Sequence, residues 1–411
     1  MIPLLALPDT LILFAAVIAL SAGSAYLLAR ELFPTRAARA LLGAVHVPPA
    51  IGMALWQFAA EPWAGPGVRI AWSALIVLAP SALALFIMGL LVRGIGAIRS
   101  LRRPERPASG PSSYPSPRPA HAPASALSRR AMMQASVSIL PLSAASAGAT
   151  GLASAPDEAR VPVIKMRFRN LHPDLEGLKI LHLSDLHLGV SKRVEHLDAL
   201  LARVAPLAPD LIVLTGDVAD NLEELQAALE VLHRYRPRLG VYASLGNHEY
   251  LHDIRRTRPI YDQSPVPLLV DRGETLAVGR AKLYVAGADD PVAMGGPRVA
   301  EVLERSIERC SEHAPEGAFR LLLCHRPEGF GPAAKRGFHL TLSGHTHGGQ
   351  IGLFGRSAFQ SLWPDLYLWG TYARGGSRLY TTSGFGHWFP FRLACPTEAP
   401  LLVLTRGASP A

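Results

Sequence analysis

Ile180-Leu181-His182-Leu183-Ser184-Asp185-Leu186-His187 decides how this chain is read. A short apolar run ends abruptly in a carboxylate and an imidazole two residues apart. The pattern then recurs. Leu211-Ile212-Val213-Leu214-Thr215 runs into Gly216-Asp217-Val218-Ala219-Asp220, and Val241-Tyr242-Ala243-Ser244-Leu245 into Gly246-Asn247-His248-Glu249. Residues 321–324 precede His325, and residues 340–342 precede Gly344-His345-Thr346-His347-Gly348-Gly349. Helical periodicity fills the gaps. Val194, Leu197, Leu200, Leu201 and Val204 share one face, as do Leu222, Leu225, Leu229 and Leu232, with Asn221 and Glu224 spaced as a capping box. Further strands are expected at 282–285, 379–382 and 401–404, and a helix over 298–310. Strand, helix, strand, helix, strand implies an α/β fold, a parallel sheet covered by helices. Ligands gather beyond the carboxyl ends of such strands.

The residues at those ends are donors suited to metals. On extended backbone, a spacing of two points Asp185 with His187, and His345 with His347, to one side. Carboxylate, imidazole and amide oxygen suit Mn, Fe, Zn or Ni, and no thiolate is needed. A central Asp can bridge two cations about 3.5–4 Å apart, a pair able to clamp a phosphoryl group and activate water. Glycines before Asp217, Asn247 and His345 permit tight exits from the strands.

The ordered set DxH, GDxxD, GNHE, a lone His and GHTH resembles the calcineurin-like metallophosphoesterase superfamily over about residues 179–404. The resemblance implies a four-layer α-β-β-α sandwich. It implies that Asp185, His187 and His347 hold one divalent ion and that Asn247, His325 and His345 hold another, with Asp217 bridging. It gives His248 the role of stabilising the phosphoryl transition state or protonating the leaving oxygen, and Asp220 that of orienting His248. The arginines that bind phosphate in the related protein phosphatases have no match, which argues against a phosphoprotein substrate. Transmembrane segments followed by Arg129-Arg130 and this domain, together with residues 379–398, which include Phe391-Arg392, are similar to the membrane-linked bacterial branch. That branch implies a phosphodiesterase with a preference for Mn.

Other residues read more plainly. His182 lies inside a strand and is expected in the core, and Cys324 reads as packing. His387 beside Trp388 and Phe389 suits a substrate cleft or an aromatic cluster equally. Trp363 and Trp369 read as ordinary packing in a long loop. Arg326 suits a phosphate contact or a surface salt bridge.

The first third of the sequence is different in kind. Residues 10–29, 40–60 and 70–92 carry no Asp, Glu, Lys or Arg. About 20 apolar residues cross a bilayer, so 1–92 reads as an α-helical region of three transmembrane helices. His46, in the second run, reads as interfacial or packed between helices. Residues 93–130 hold eight Arg and one Glu, +7 of the chain's +9, and read as a basic Pro/Ser-rich tether. Charge so placed orients a membrane protein and offers no nucleic-acid platform. Residues 131–156 form a fourth apolar segment, an anchor or a twin-arginine-like signal after Arg129-Arg130. The catalytic domain then spans 157–411. Arg30, Arg36 and Arg39 set the first loop inside, and Trp56, Trp63 and Trp72 flank the outer loop. If 131–156 crosses, the catalytic domain lies outside the cytoplasm, the arrangement adopted here. Three cysteines with no CxxC exclude a disulfide scaffold.

The expectation is a multi-pass, membrane-anchored hydrolase of phosphodiester or pyrophosphate bonds. It would use two divalent metal ions, Mn before Fe, Zn or Ni. Its substrate would be a phosphorylated small molecule or lipid, with no nucleic acid as partner. Hydrolysis of UDP-2,3-diacylglucosamine is the alternative enzyme. A non-catalytic metal-binding membrane receptor is the alternative of another class.

Overall fold

The computed structural model describes residues 150–151, 154, 158–189, 192–291, 297–387 and 391–407. The expected membrane runs, the basic tether and most of 131–156 lie outside them. Among the described residues no helix is long and apolar enough to cross a membrane.

β1 (Val163–Phe168) precedes β2 (Lys179–Leu183), α1 (Val194–Val204), β3 (Leu211–Thr215), α2 (Leu222–Arg234) and β4 (Val241–Ser244). The short helix α3 (Asn247–Leu251) leads to α4 (Ile254–Asp262). Then come β5 (Arg272–Val278), β6 (Ala281–Gly287), α5 (Pro297–Glu312), β7 (Phe319–Leu323), α6 (Phe330–Lys335) and β8 (Leu340–Ser343). A small hairpin, β9 (Gly352–Leu353) and β10 (Arg356–Ser357), precedes β11 (Gly370–Arg374), β12 (Ser377–Thr381) and β13 (Leu401–Arg406).

The alternation of strands and helices alone pointed to one parallel sheet; two form, as the α-β-β-α sandwich implied by the resemblance requires. The first has the order β1-β13-β2-β3-β4 and the second β11-β12-β8-β7-β6-β5. Neither is purely parallel: β13 runs antiparallel to β2, β5 to β6 and β11 to β12. Strand residues alternate between two apolar environments. Ile180, Leu211, Val213, Leu283, Val285, Leu321, Leu323, Leu340 and Leu342 meet between the sheets. Leu181, Leu183, Ile212 and Leu214 face outward onto Leu197, Leu201, Leu225 and Leu229 of α1 and α2. On the other side Tyr284, Ala286 and Leu322 face Val299, Leu303 and Ile307 of α5. Burial on both faces explains the unbroken apolar runs, since an alternating strand would have left one face in water.

The expected capping box is not made. Asn221 accepts the Glu223 N–H (2.9 Å), whereas Glu224 accepts the Val194 N–H (2.8 Å) at the start of α1. Glu224 therefore caps its neighbour helix and ties α1 to α2.

Candidate metal centre

The donors sit where strands of both sheets end. Asp185 and His187 follow β2, Asp217 follows β3 and Asn247 follows β4. His325 follows β7, and His345 and His347 follow β8. The expected common edge of one sheet is thus the shared rim of two. The expected extended backbone is also absent. Asp185, His187, Asp217, His345 and His347 all take positive φ, between 46° and 68°. Left-handed turns, which cost a non-glycine residue roughly 1–2 kcal/mol each, aim these side chains inward. Backbone bonds lock the turns together: Asp185 N–H donates to Gly216 O and His187 N–H to Asp217 O, both at 3.1 Å. Glu249 holds a third turn by accepting the N–H groups of Asp217, Val218 and Gly246 at 2.9, 2.8 and 2.7 Å.

Of the three glycines, only Gly216 needs its freedom of φ (+81°). Gly246 and Gly344 supply space. A Cβ on Gly246 would lie 2.2 Å from Asp217 Oδ1, and one on Gly344 2.0 Å from Asp185 Oδ2.

Two groups of donor atoms result. In the first, His347 Nε2 lies 3.4 Å from Asp185 Oδ1 and 3.2 Å from His187 Nε2. In the second, His325 Nε2 lies 3.2 Å from each of Asn247 Oδ1, Asp217 Oδ2 and His345 Nδ1. Asp217 Oδ2 is also 3.9 Å from His187 Nε2, while Oδ1 accepts the His248 N–H at 2.9 Å. Ligand atoms about 3–4 Å apart suit a shared ion with bonds of about 2.0–2.2 Å.

The chemistry of the second group asks for a cation. His325 Nδ1 faces Thr215 O at 2.7 Å and must donate to it, so Nε2 of the neutral ring is an acceptor. It points at a carboxylate oxygen and at Asn247 Oδ1. Burial works to lower the His325 imidazole, yet Asp217 and Asp185 outweigh it and lift it to about 10. These carboxylates demand positive charge at that spot. Burial acts the other way on Asp217, but His325 and His248 hold its carboxyl well below the usual range.

Beside the donors, Asp220 bonds three imidazoles. Its Oδ2 is 3.0 Å from His187 Nδ1, and its Oδ1 is 2.6 Å from His248 Nδ1 and 2.8 Å from His252 Nε2. Burial would lower His248, but Asp217 and Asp220 raise it to about 9. Its Nε2 remains directed toward the donors, 4.0 Å from Asp217 Oδ2.

Residues 178–349 match the family described as calcineurin-like phosphoesterase. The chain carries a calcineurin-like metallophosphoesterase domain. It is 31% identical over 249 residues to an uncharacterized metallophosphoesterase of Campylobacter jejuni, covering 59% of this chain and 63% of that one. It is 30% identical over 275 residues to a Danio rerio protein named transmembrane protein with metallophosphoesterase domain, covering 62% and 60%. A Bacillus subtilis uncharacterized metallophosphoesterase is 28% identical over 236 residues, covering 56% and 79%. The chain thus spans under two thirds of the first two relatives.

Within this metallophosphoesterase domain every expected donor reaches the rim: Asp185, His187, Asp217, Asn247, His325, His345 and His347. His248 and Asp220 lie beside them. Arg326 departs from both of its readings. It is 1% exposed, donates from Nε to both oxygens of the equally buried Asp290 (3.1 and 3.0 Å), and sets Nη1 3.2 Å from His345 Nε2. Asp290 carried no sequence signal. His182 is a core residue, with Nε2 2.8 Å from Thr215 Oγ1, and Cys324 is buried packing. His387 is buried. Trp369 donates Nε1–H to the buried Glu398, whereas Trp363 is 52% exposed rather than packed away. The domain also uses three residues given no role beforehand. Glu249 shapes the turns, Arg392 sets Nη2 3.2 Å from His347 Nδ1, and His252 joins Asp220. The spacing of four from His248 would have flagged His252 as its neighbour on a helical turn.

Proposed function

We propose that this chain is a membrane-tethered hydrolase of phosphodiester or pyrophosphate bonds, dependent on two divalent cations. One observation carries the reading: Asp217 Oδ2 borders both donor groups, 3.2 Å from His325 Nε2 and 3.9 Å from His187 Nε2. Asp185, His187 and His347 would hold one cation and Asn247, His325 and His345 the other, with Asp217 shared. A bound pair supplies Lewis-acid polarisation of phosphoryl oxygens and acidifies water. The set of O and N donors without thiolate suits Mn, Fe, Zn or Ni, and the resemblance to the membrane-linked branch puts Mn first.

The chain's own residues do the remaining work. His248, lifted to about 9, carries a proton at neutral pH and can deliver it from Nε2 to a leaving oxygen. Asp220 takes Nδ1–H and so fixes which edge of the ring faces the substrate. Arg326 is committed to Asp290 and is itself not free to grip a phosphoprotein, which fits a diester or pyrophosphate. The charge-free runs 10–29, 40–60 and 70–92 support the tether, as do relatives from Danio rerio and Bos taurus named transmembrane proteins. With 131–156 crossing, the hydrolase lies outside the cytoplasm, where a lipid-linked substrate suits it.

The test is hydrolysis of bis(p-nitrophenyl) phosphate by the purified full chain in detergent. Activity should vanish on chelation, return with Mn, and be absent in Asp217→Ala. Full activity in that variant would overturn the reading.

A further inference from the structure

Among the described residues, seven large apolar side chains are exposed, and five of them fall within one stretch: Leu353, Phe354, Leu362, Trp363 and Leu366, at 56, 97, 68, 52 and 40%. This stretch begins four residues after Gly349, which closes the histidine turn of β8. It is bound to that turn: a Cβ on Gly349 would meet the Phe359 ring at 2.9 Å, and the Phe359 and Trp363 rings lie 5.8 Å apart. Phe354 and Gly355 form the tip of the β9–β10 hairpin at φ 50° and 77°, signs that belong to tight two-residue turns. A phenylalanine held at positive φ, almost wholly in water, is unfavourable on both counts. Clustered apolar exposure of this kind marks an interaction surface.

The occupant is indicated by the rest of the chain. Phe354 at the hairpin tip with Arg356 beside it, and Leu362, Trp363 and Leu366 exposed in the loop that follows, make the composition that settles at a bilayer's headgroup boundary. Within 353–366 Arg356 is balanced by Asp365, so the attraction is carried by the apolar side chains rather than by net charge. The same chain carries three charge-free runs long enough to span a membrane, so a bilayer is within reach of the tether. We infer that residues 353–366 are a bilayer-docking surface that seats the rim of the metal centre at the headgroup boundary. This rests on the tether in the proposed function and not on catalysis. It would let a headgroup phosphoester reach the donors without the lipid leaving the membrane.

The test uses the full chain in vesicles of phosphatidylcholine and phosphatidylglycerol, after flotation shows incorporation. The three native cysteines are buried, so a thiol-reactive environment-sensitive dye can report single sites. It is placed at Phe354→Cys, at Ser361→Cys, which keeps every apolar side chain, and at Glu316→Cys, at the opposite ends of the strands. We expect blue-shifted emission at 354 and 361, quenched by spin-labelled lipid and shielded from iodide, with the reverse at 316. Iodide quenching equal at all three sites overturns the inference. Shielding from iodide without quenching by lipid also overturns it, and assigns the surface to protein. A chain that does not float overturns tether and docking together, while catalytic assays in detergent remain unaffected.

Discussion

Asp220 Oδ1 lies 2.6 Å from His248 Nδ1, and the other oxygen of the same carboxylate lies 3.0 Å from His187 Nδ1. One buried acid thus aims a ring that would bind a cation and a ring that would move a proton. With His248 lifted to about 9, its acid form prevails at neutral pH and is lost as pH rises through that value. Hydrolysis of an alkyl phosphodiester should fall above about 9, and His248→Gln should lower its kcat by about 10²–10⁴. A p-nitrophenyl diester, whose leaving group needs no proton, should lose far less. Equal losses on both substrates would contradict the role of His248.

Gly344→Ala would place a Cβ 2.0 Å from Asp185 Oδ2 and 2.0 Å from Ser184 Oγ. Asp185 must then leave its position against the His345 N–H. Metal affinity should drop by about 10–100-fold, as when the support of a ligand is lost. Calorimetric titration with Mn checks this, and unchanged affinity would refute the close-approach argument.

Arg326→Met leaves Asp290, 3% exposed, without its counter-ion. Breaking one side of a buried pair costs about 3–5 kcal/mol. The variant should show a markedly lower denaturation midpoint, and the double variant Arg326→Met with Asp290→Leu should recover much of it. Failure of the double variant to recover would show that the arginine's other bonds matter more.

His182 is fully buried, and burial drives its imidazole from 6.5 down to about 3. The unfolded chain takes up a proton below 6.5 that the folded chain refuses until about 3. Stability is therefore lost as pH falls through that window, at about 1.4 kcal/mol per pH unit from this group. His182→Gln should flatten the slope of denaturation midpoint against pH in that range. Parallel curves for the two proteins would contradict it.

Much of this was legible in the sequence because central strands buried on both faces write themselves as apolar runs. β1, β5 and β11 were not legible: Val163, Arg272 and Thr371 are exposed, so these edge strands lack such runs. Nor could local pattern divide the strands between two sheets, since that depends on long-range pairing such as β13 between β1 and β2. The donors were found through motifs, but the reason given for their convergence failed. Left-handed turns aim Asp185 and His187, and spacing on extended backbone does not. Asp290, which holds Arg326, gave no local signal, and Arg392, marked only as part of the resemblance over 379–398, reaches His347 from a distant segment.

The most direct measurement is metal stoichiometry on the purified full chain, by elemental analysis after reconstitution with Mn, for the unaltered protein and Asp217→Asn. The account predicts two ions per chain for the former and loss of tight binding at one or both positions in the latter. A single ion in the unaltered chain, or both ions retained at unchanged affinity in Asp217→Asn, would contradict it.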